Sequence, residues 1–228
     1  LQNSLLGLKT DKQDFSKLTL VSESPETQVR DDYTMLHGKR KHCQNTGIEK
    51  TFRFKNSSGN CIDIVFRVYN DGVAFRYLLG EYSDARHSIT EELTEFSVAE
   101  GINRWVQPYN TGYEEFYPLA TRGSRQRRWG FPALFNIEND VFLLITEADI
   151  SRANYGSLLF NKDNVNAYTV AMPSDAGSHF TNPWQSPCRV LIIGHSLGGK
   201  MATYNGCLDE RIKATIASDL GIGYTFTN

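Results

Sequence analysis

Between residues 61 and 79 the chain alternates. Ile62, Ile64, Phe66 and Val68 are interleaved with Asp63, Val65, Arg67 and Tyr69. After Asn70-Asp71-Gly72 the alternation resumes, with Val73, Phe75 and Tyr77 set against Ala74, Arg76 and Leu78. Successive side chains of a strand point to opposite faces, so a period of two marks a half-buried strand. Two such runs around a short N-D-G turn predict a β-hairpin, the glycine supplying the positive φ of the turn. Residues 51–54, 141–146, 167–172 and 189–193 predict further short strands, rich in β-branched and aromatic residues and bounded by turn formers. No segment before residue 195 places apolar residues at helical spacing. Many short strands without intervening helices predict a mainly β fold, a sandwich or barrel.

After Gly194 the pattern changes. Met201, Tyr204, Leu208 and Ile212 fall at helical spacing, and residues 213–218 read as a buried strand. Strand, turn, helix and strand in succession are the grammar of a parallel α/β sheet. The expected organisation is therefore a β-sandwich over residues 1–194 and a short α/β tail over 195–228. Gly194-His195-Ser196-Leu197-Gly198 fits the G-x-S-x-G elbow, whose glycines permit a strained turn before a helix N-terminus. This tail resembles the α/β-hydrolase superfamily, near dienelactone hydrolases and acetyl xylan esterases. The resemblance implies Ser196 as nucleophile and the Leu197 N–H in an oxyanion hole. An acid and a histidine must follow the serine. The five histidines are His37, His42, His87, His179 and His195, all before it. Asp219 can serve as an acid but has no imidazole to orient, and a serine without a base is a poor nucleophile. The elbow is expected to lack a working triad.

Composition narrows the classes. Hydrophobic residues make up 40% and charged residues 22%, ordinary for a chain that buries a core. A net charge of −2 gives no global field toward nucleic acid or an anionic membrane. The basic run at residues 122–128 is expected to be a solvated loop. No stretch approaches the ~18 apolar residues of a membrane span, and no signal peptide is visible. The chain opens at Leu1, which suggests a processed product or a fragment. Cys43, Cys61, Cys188 and Cys207 show no metal-type spacing, so buried thiols and disulfides both stay open.

Several strings carry a second resemblance: Phe66-Arg-Val-Tyr-Asn-Asp-Gly-Val-Ala-Phe-Arg-Tyr77, Trp105-Val-Gln-Pro-Tyr-Asn110, Trp129-Gly-Phe-Pro-Ala-Leu-Phe135, Leu144-Ile-Thr-Glu-Ala-Asp-Ile150 and Ser186-Pro-Cys-Arg-Val-Leu-Ile-Ile-Gly194. Together and in order they resemble the N-terminal β-sandwich (super-sandwich) of glycoside hydrolase family 97. That family contains bacterial α-glucosidases and α-galactosidases, typical of Bacteroides-like organisms. The resemblance implies a periplasmic or secreted location, and a (β/α)₈ barrel, absent here, that carries the catalytic carboxyl groups. It also implies a calcium ion beside the active site, held mostly by barrel glutamates. One ligand comes from the strand matching residues 144–150, where Glu147 stands. Ca²⁺ needs several hard oxygens, so affinity is expected to be weak without the barrel.

Trp105, Tyr109 and Trp129, with Tyr113 and Tyr117, are expected either to face the barrel or a sugar subsite, or to pack in the core. Glu114-Glu115 is not read as a catalytic pair, because neighbours on a strand point apart. Three departures stand out. The match starts partway in, so the first strands are expected to be missing before Leu5. Cys188 replaces the family's usual Trp. Esterase-like text follows Gly194, as in a splice of two hydrolases. The expected function is the accessory domain of a calcium-dependent α-glycoside hydrolase. It would meet an α-linked oligosaccharide only with its barrel and catalyse nothing alone. A serine carboxylesterase fragment and a non-catalytic carbohydrate-binding module are the alternatives.

Overall fold

The computed structural model describes residues 1–36, 41–112, 116–117, 127–138, 141–149, 155–161, 165–172 and 179–195, the side chains of 81–85, 179–183 and 194–195 excepted. The described residues form fifteen strands and no helix. In chain order they are β1 (Leu8–Thr10), β2 (Asp14–Phe15), β3 (Thr19–Glu23), β4 (Thr27–Thr34), β5 (His42–Lys55), β6 (Cys61–Tyr69) and β7 (Gly72–Glu92). There follow β8 (Glu95–Ser97), β9 (Asn103–Pro108), β10 (Arg128–Glu138), β11 (Val141–Ala148), β12 (Leu158–Phe160), β13 (Ala167–Ala171), β14 (His179–Gln185) and β15 (Cys188–His195). The mainly β expectation is met. The α/β tail lies outside the described residues.

The hydrogen-bonded path runs β3-β5-β6-β7-β15-β11-β10-β12-β13-β8. The long strand β7 does most of the joining. Its first residues pair with β6 and β15, its middle with β14 and its end with β1. Rings also meet between strands that are not hydrogen-bonded neighbours: Phe75 with Phe96 at 6.5 Å, and Phe135 with Tyr168 at 5.1 Å. The sheet thus folds over into two layers, a sandwich, around Ile62, Ile64, Phe75, Tyr77, Ile145 and Leu191 on one side and Leu8, Ile89, Phe96 and Tyr168 on the other.

The predicted hairpin is β6 and β7, closed by Asn70-Asp71 with Tyr69 opposite Gly72. Its glycine has a different role from the one expected. Gly72 is not among the positive-φ residues. Its Cα instead lies against β15, where an added Cβ would sit 2.4 Å from the Leu191 carbonyl oxygen. Glycine is required there by close approach of the next strand.

Register places two cross-strand rows on the core face. One runs Lys50, Phe66, Phe75, Arg189, Glu147, and the next runs Ile48, Val68, Val73, Leu191, Ile145. The reverse face of β10, β11 and β15 is apolar too. There Leu134, Phe142, Leu144 and Ile192 are buried with Trp105 and Val190 against them. This is why these strands read as continuous apolar runs instead of alternating ones. Cys43, Cys61 and Cys188 form no disulfide with one another.

Candidate functional site

Arg189 has no exposed side-chain surface, although it stands in the otherwise apolar run of β15. Two carboxylates meet it. Glu92, at the end of β7, takes Nε at 3.0 Å on Oε1 and Nη2 at 2.5 Å on Oε2. Glu147, the register partner of Arg189 on β11, takes Nη1 at 2.7 Å on Oε2. Bidentate guanidinium–carboxylate contact is the strong form of such a pair.

Neutral groups complete both carboxylates. Thr94 donates its hydroxyl to Glu92 Oε1 at 2.7 Å, and Tyr155 donates to Oε2 at 2.6 Å. Tyr77 lies 2.7 Å from the Thr94 hydroxyl and accepts the Gly7 N–H at 2.8 Å. Because Thr94 spends its proton on Glu92, the phenol of Tyr77 is the donor to Thr94. On the other side the Ser157 N–H donates to Glu147 Oε1 at 3.0 Å. The Ser157 hydroxyl donates to Oε2 and accepts Arg189 Nη1 at 2.9 Å. The cluster joins the N-terminal segment, both ends of β7, β11, β15 and the segment before β12.

Burial by itself pulls the pKa of the Arg189 guanidinium down. Glu92 and then Glu147 outweigh it and hold its pKa above the ordinary arginine value. Burial, reinforced by the Glu92 charge, pushes the Tyr77 and Tyr155 phenols well above the usual tyrosine range. In the folded protein both keep their protons past pH ~10, where an unfolded tyrosine ionises. The unfolded chain then binds fewer protons, so stability falls as pH rises above ~10, by up to about 1.4 kcal/mol per pH unit per tyrosine. Urea unfolding at pH 9, 10 and 11 should show this fall. Tyr155→Phe should remove about half of the slope, and a level stability across that range would contradict the assignment.

The sequence-predicted residues do not form one site. Glu147 sits in the cluster, only 6% exposed and already bonded on both oxygens. Trp129, 4% exposed, is a core residue whose indole N–H donates to Asn161 Oδ1 at 2.6 Å. Its burial fits the packing alternative and not the sugar subsite, since neither ring face meets solvent. Trp105 is half-buried on the reverse face, 6.3 Å from the Phe142 ring. Tyr109 is half-buried beneath the Arg128 guanidinium at 5.3 Å, and Tyr117 donates to Gln107 Oε1 at 3.2 Å. Tyr113, Glu114, Glu115, Ser196 and Leu197 lie outside the described residues.

The implied calcium can be tested against this geometry. Among the described residues no three His, Cys, Asp or Glu side chains converge on a metal position. Both carboxylates already share one cation, Arg189. Beyond its single N–H bond, Glu147 Oε1 retains one lone pair, which is one ligand where Ca²⁺ takes six to eight. The described residues by themselves do not fit the ion.

Glu92, Arg189, Tyr155 and Ser157 are not among the sequence-predicted residues. Two signals were present: an arginine inside Val-Leu-Ile-Ile text, and the pair Glu91-Glu92 at a strand end. Of that pair, Glu91 turns outward to Lys9 at 2.7 Å and Glu92 turns inward.

Two β-layers sealed by a buried Glu–Arg–Glu cluster define a sandwich domain whose buried carboxylates, Glu92 and Glu147, are held by one arginine. Residues 1–203 match the glycosyl-hydrolase 97 N-terminal family, and the chain belongs to that family. A probable retaining α-galactosidase of Streptomyces bingchenggensis is 26% identical over 85% of this chain and 30% of its own length. Among solved structures, a β-arabinopyranosidase superimposes with a TM-score of 0.78 at 28% identity, over 85% of this chain and 35% of that one. A glycoside hydrolase family 97 enzyme from a Pseudoalteromonas, solved with panose and with acarbose, gives 0.76 at 20% identity, over 86% and 31%, and shows the same fold. The chain spans about a third of the length of these relatives. The family match runs past Ser196, so the elbow text lies within it.

Proposed function

We propose that this chain is the accessory N-terminal sandwich of an enzyme that cleaves α-glycosides. It supports a catalytic domain and performs no bond cleavage itself. One observation carries the reading. The family match covers residues 1–203, yet the buried acidic side chains, Glu92 and Glu147, are neutralised by Arg189 and are not set across a cleft. Glycoside hydrolysis needs two carboxyl groups facing each other across the sugar, ~5–9.5 Å apart and reachable by it. The proposal extends to a periplasmic or secreted location. It extends also to calcium bound only when other polypeptide supplies most of the oxygens, Glu147 giving one at most.

The purified chain should release no p-nitrophenol from the α-glucoside, the α-galactoside or the arabinopyranoside. Calcium at 1 mM should shift its melting temperature by less than about 1 °C, since a weak partial site adds little linkage. Turnover of any of the three glycosides would overturn the accessory reading. A calcium shift of several degrees would show a complete metal site within these residues.

A further inference from the structure

We propose that the Arg104 side chain binds a halide-sized inorganic anion, such as chloride, between β9 and the turn that enters β13. Arg104 stands near the start of β9, opposite Phe135 of β10, and is only 4% exposed. Its guanidinium lies 5.9 Å from the centre of the Tyr168 ring. Nη1 donates to the Val165 carbonyl and to the Tyr168 hydroxyl, each at 2.9 Å. Nη2 donates to Asn166 Oδ1 at 2.8 Å. All three acceptors are neutral, so among the described residues this buried cation has no counter-charge. Arg53, Arg67, Arg76 and Arg189 each meet a carboxylate instead. A buried charge is costly unless an opposite charge stands beside it.

The donors left over say where that opposite charge belongs. A guanidinium has five N–H groups. The three bonds use both of those on Nη1 and one on Nη2. The Nε–H remains, buried and without a partner, together with one N–H of Nη2. On Arg53 and Arg189 the same two nitrogens, Nε and Nη2, hold the two oxygens of a carboxylate. The neighbours Phe135 and Tyr168 are fully buried, so the guest must be compact. A water molecule would satisfy the N–H groups and leave the charge unmet, whereas a halide answers both. The turn residues Val165 and Asn166 are half-buried, which gives an ion a short way in from solvent.

Thermal melting of the purified chain in sodium gluconate and in sodium chloride, at equal ionic strength, tests this. At about 100 mM chloride the melting temperature should rise by about 3 °C, with half the rise reached near about 10 mM, as for a single site of that affinity. Bromide should act like chloride. Arg104→Met should abolish the difference between the salts. Asn166→Asp puts a carboxylate where Nη2 already meets an amide oxygen. It should melt above the parent in gluconate and no longer respond to chloride. Because it keeps the shape of the site, it reads the missing charge even where Arg104→Met folds poorly. Crystals grown in bromide should show an anomalous peak within hydrogen-bonding reach of Arg104 Nε. Equal melting of the parent in both salts would overturn the proposal, as would a chloride shift that survives in Asn166→Asp. A crystal with water alone beside Nε in bromide would do the same.

Discussion

Arg189→Met should destabilise the domain by about 3–5 kcal/mol, lowering its melting temperature by about 10 °C or more. The arginine is the cation between Glu92 and Glu147, and the Arg189–Glu92 pair has no exposed side-chain surface on either partner. Methionine fills a similar volume, so little of the loss is packing. Two carboxylates would be left in a low-dielectric interior with only hydroxyl and amide donors. One or both must then take a proton or draw in water. The companion variant replaces all three residues with Leu or Met. It should be milder than Arg189→Met alone, because a buried ion cluster is often matched by well-packed apolar side chains, whereas half of one is not. If Arg189→Met melts within about 2 °C of the parent, the cluster does not hold the two layers together.

The fold was legible where one face of a strand is wet. In β6 and β7 the alternation from Ile62 to Tyr77 marks the core side of every residue, and the structure keeps that register. It was legible in outline where both faces are dry. The runs at residues 141–146 and 189–193 predicted strands, but not the second apolar layer behind them. A continuous apolar run does not say which of its residues face which way. The edge strands β3 and β4 went unseen. Their exposed residues, such as Arg30, Asp32 and Glu23, are what an edge carries and also what a loop carries. Gly72 shows a subtler limit. Turn chemistry explained a glycine at that position well enough locally, while the deciding contact comes from Leu191, more than a hundred residues away.

The site was legible through resemblance more than through chemistry. Glu147 was singled out because of the string around it. Its nearest charge, Arg189, lay in another of those strings without being connected to it. Nothing local indicates that a glutamate on β11 and an arginine on β15 share a register pair, or that Glu92 closes the other side. Buried ion clusters assemble from distant segments, and each member reads alone as an ordinary surface charge. Composition left Trp129 between two readings for the same reason. Aromatics suit sugar platforms and cores alike, and only burial separates the two.

That separation gives the second large effect. Trp129→Ala should cost about 3–5 kcal/mol from the lost side-chain volume alone. The indole also donates to Asn161 Oδ1. The amide of Asn161 in turn donates to the Ala167 carbonyl at 2.6 Å and its backbone N–H to the Arg127 carbonyl at 2.9 Å. Removing the indole therefore breaks this hydrogen bond, adding about 0.5–1.5 kcal/mol, and loosens the junction of β10, β12 and β13. Trp129→Phe isolates that second part, because the ring still fills most of the space and only the N–H is gone. The expected order of melting temperatures is parent, then Phe, then Ala. A sugar platform would behave in the opposite way. A tryptophan that stacks on a ligand is exposed in the free protein, so its removal lowers affinity and leaves stability nearly intact. If Trp129→Ala melts like the parent, the indole is not part of the core.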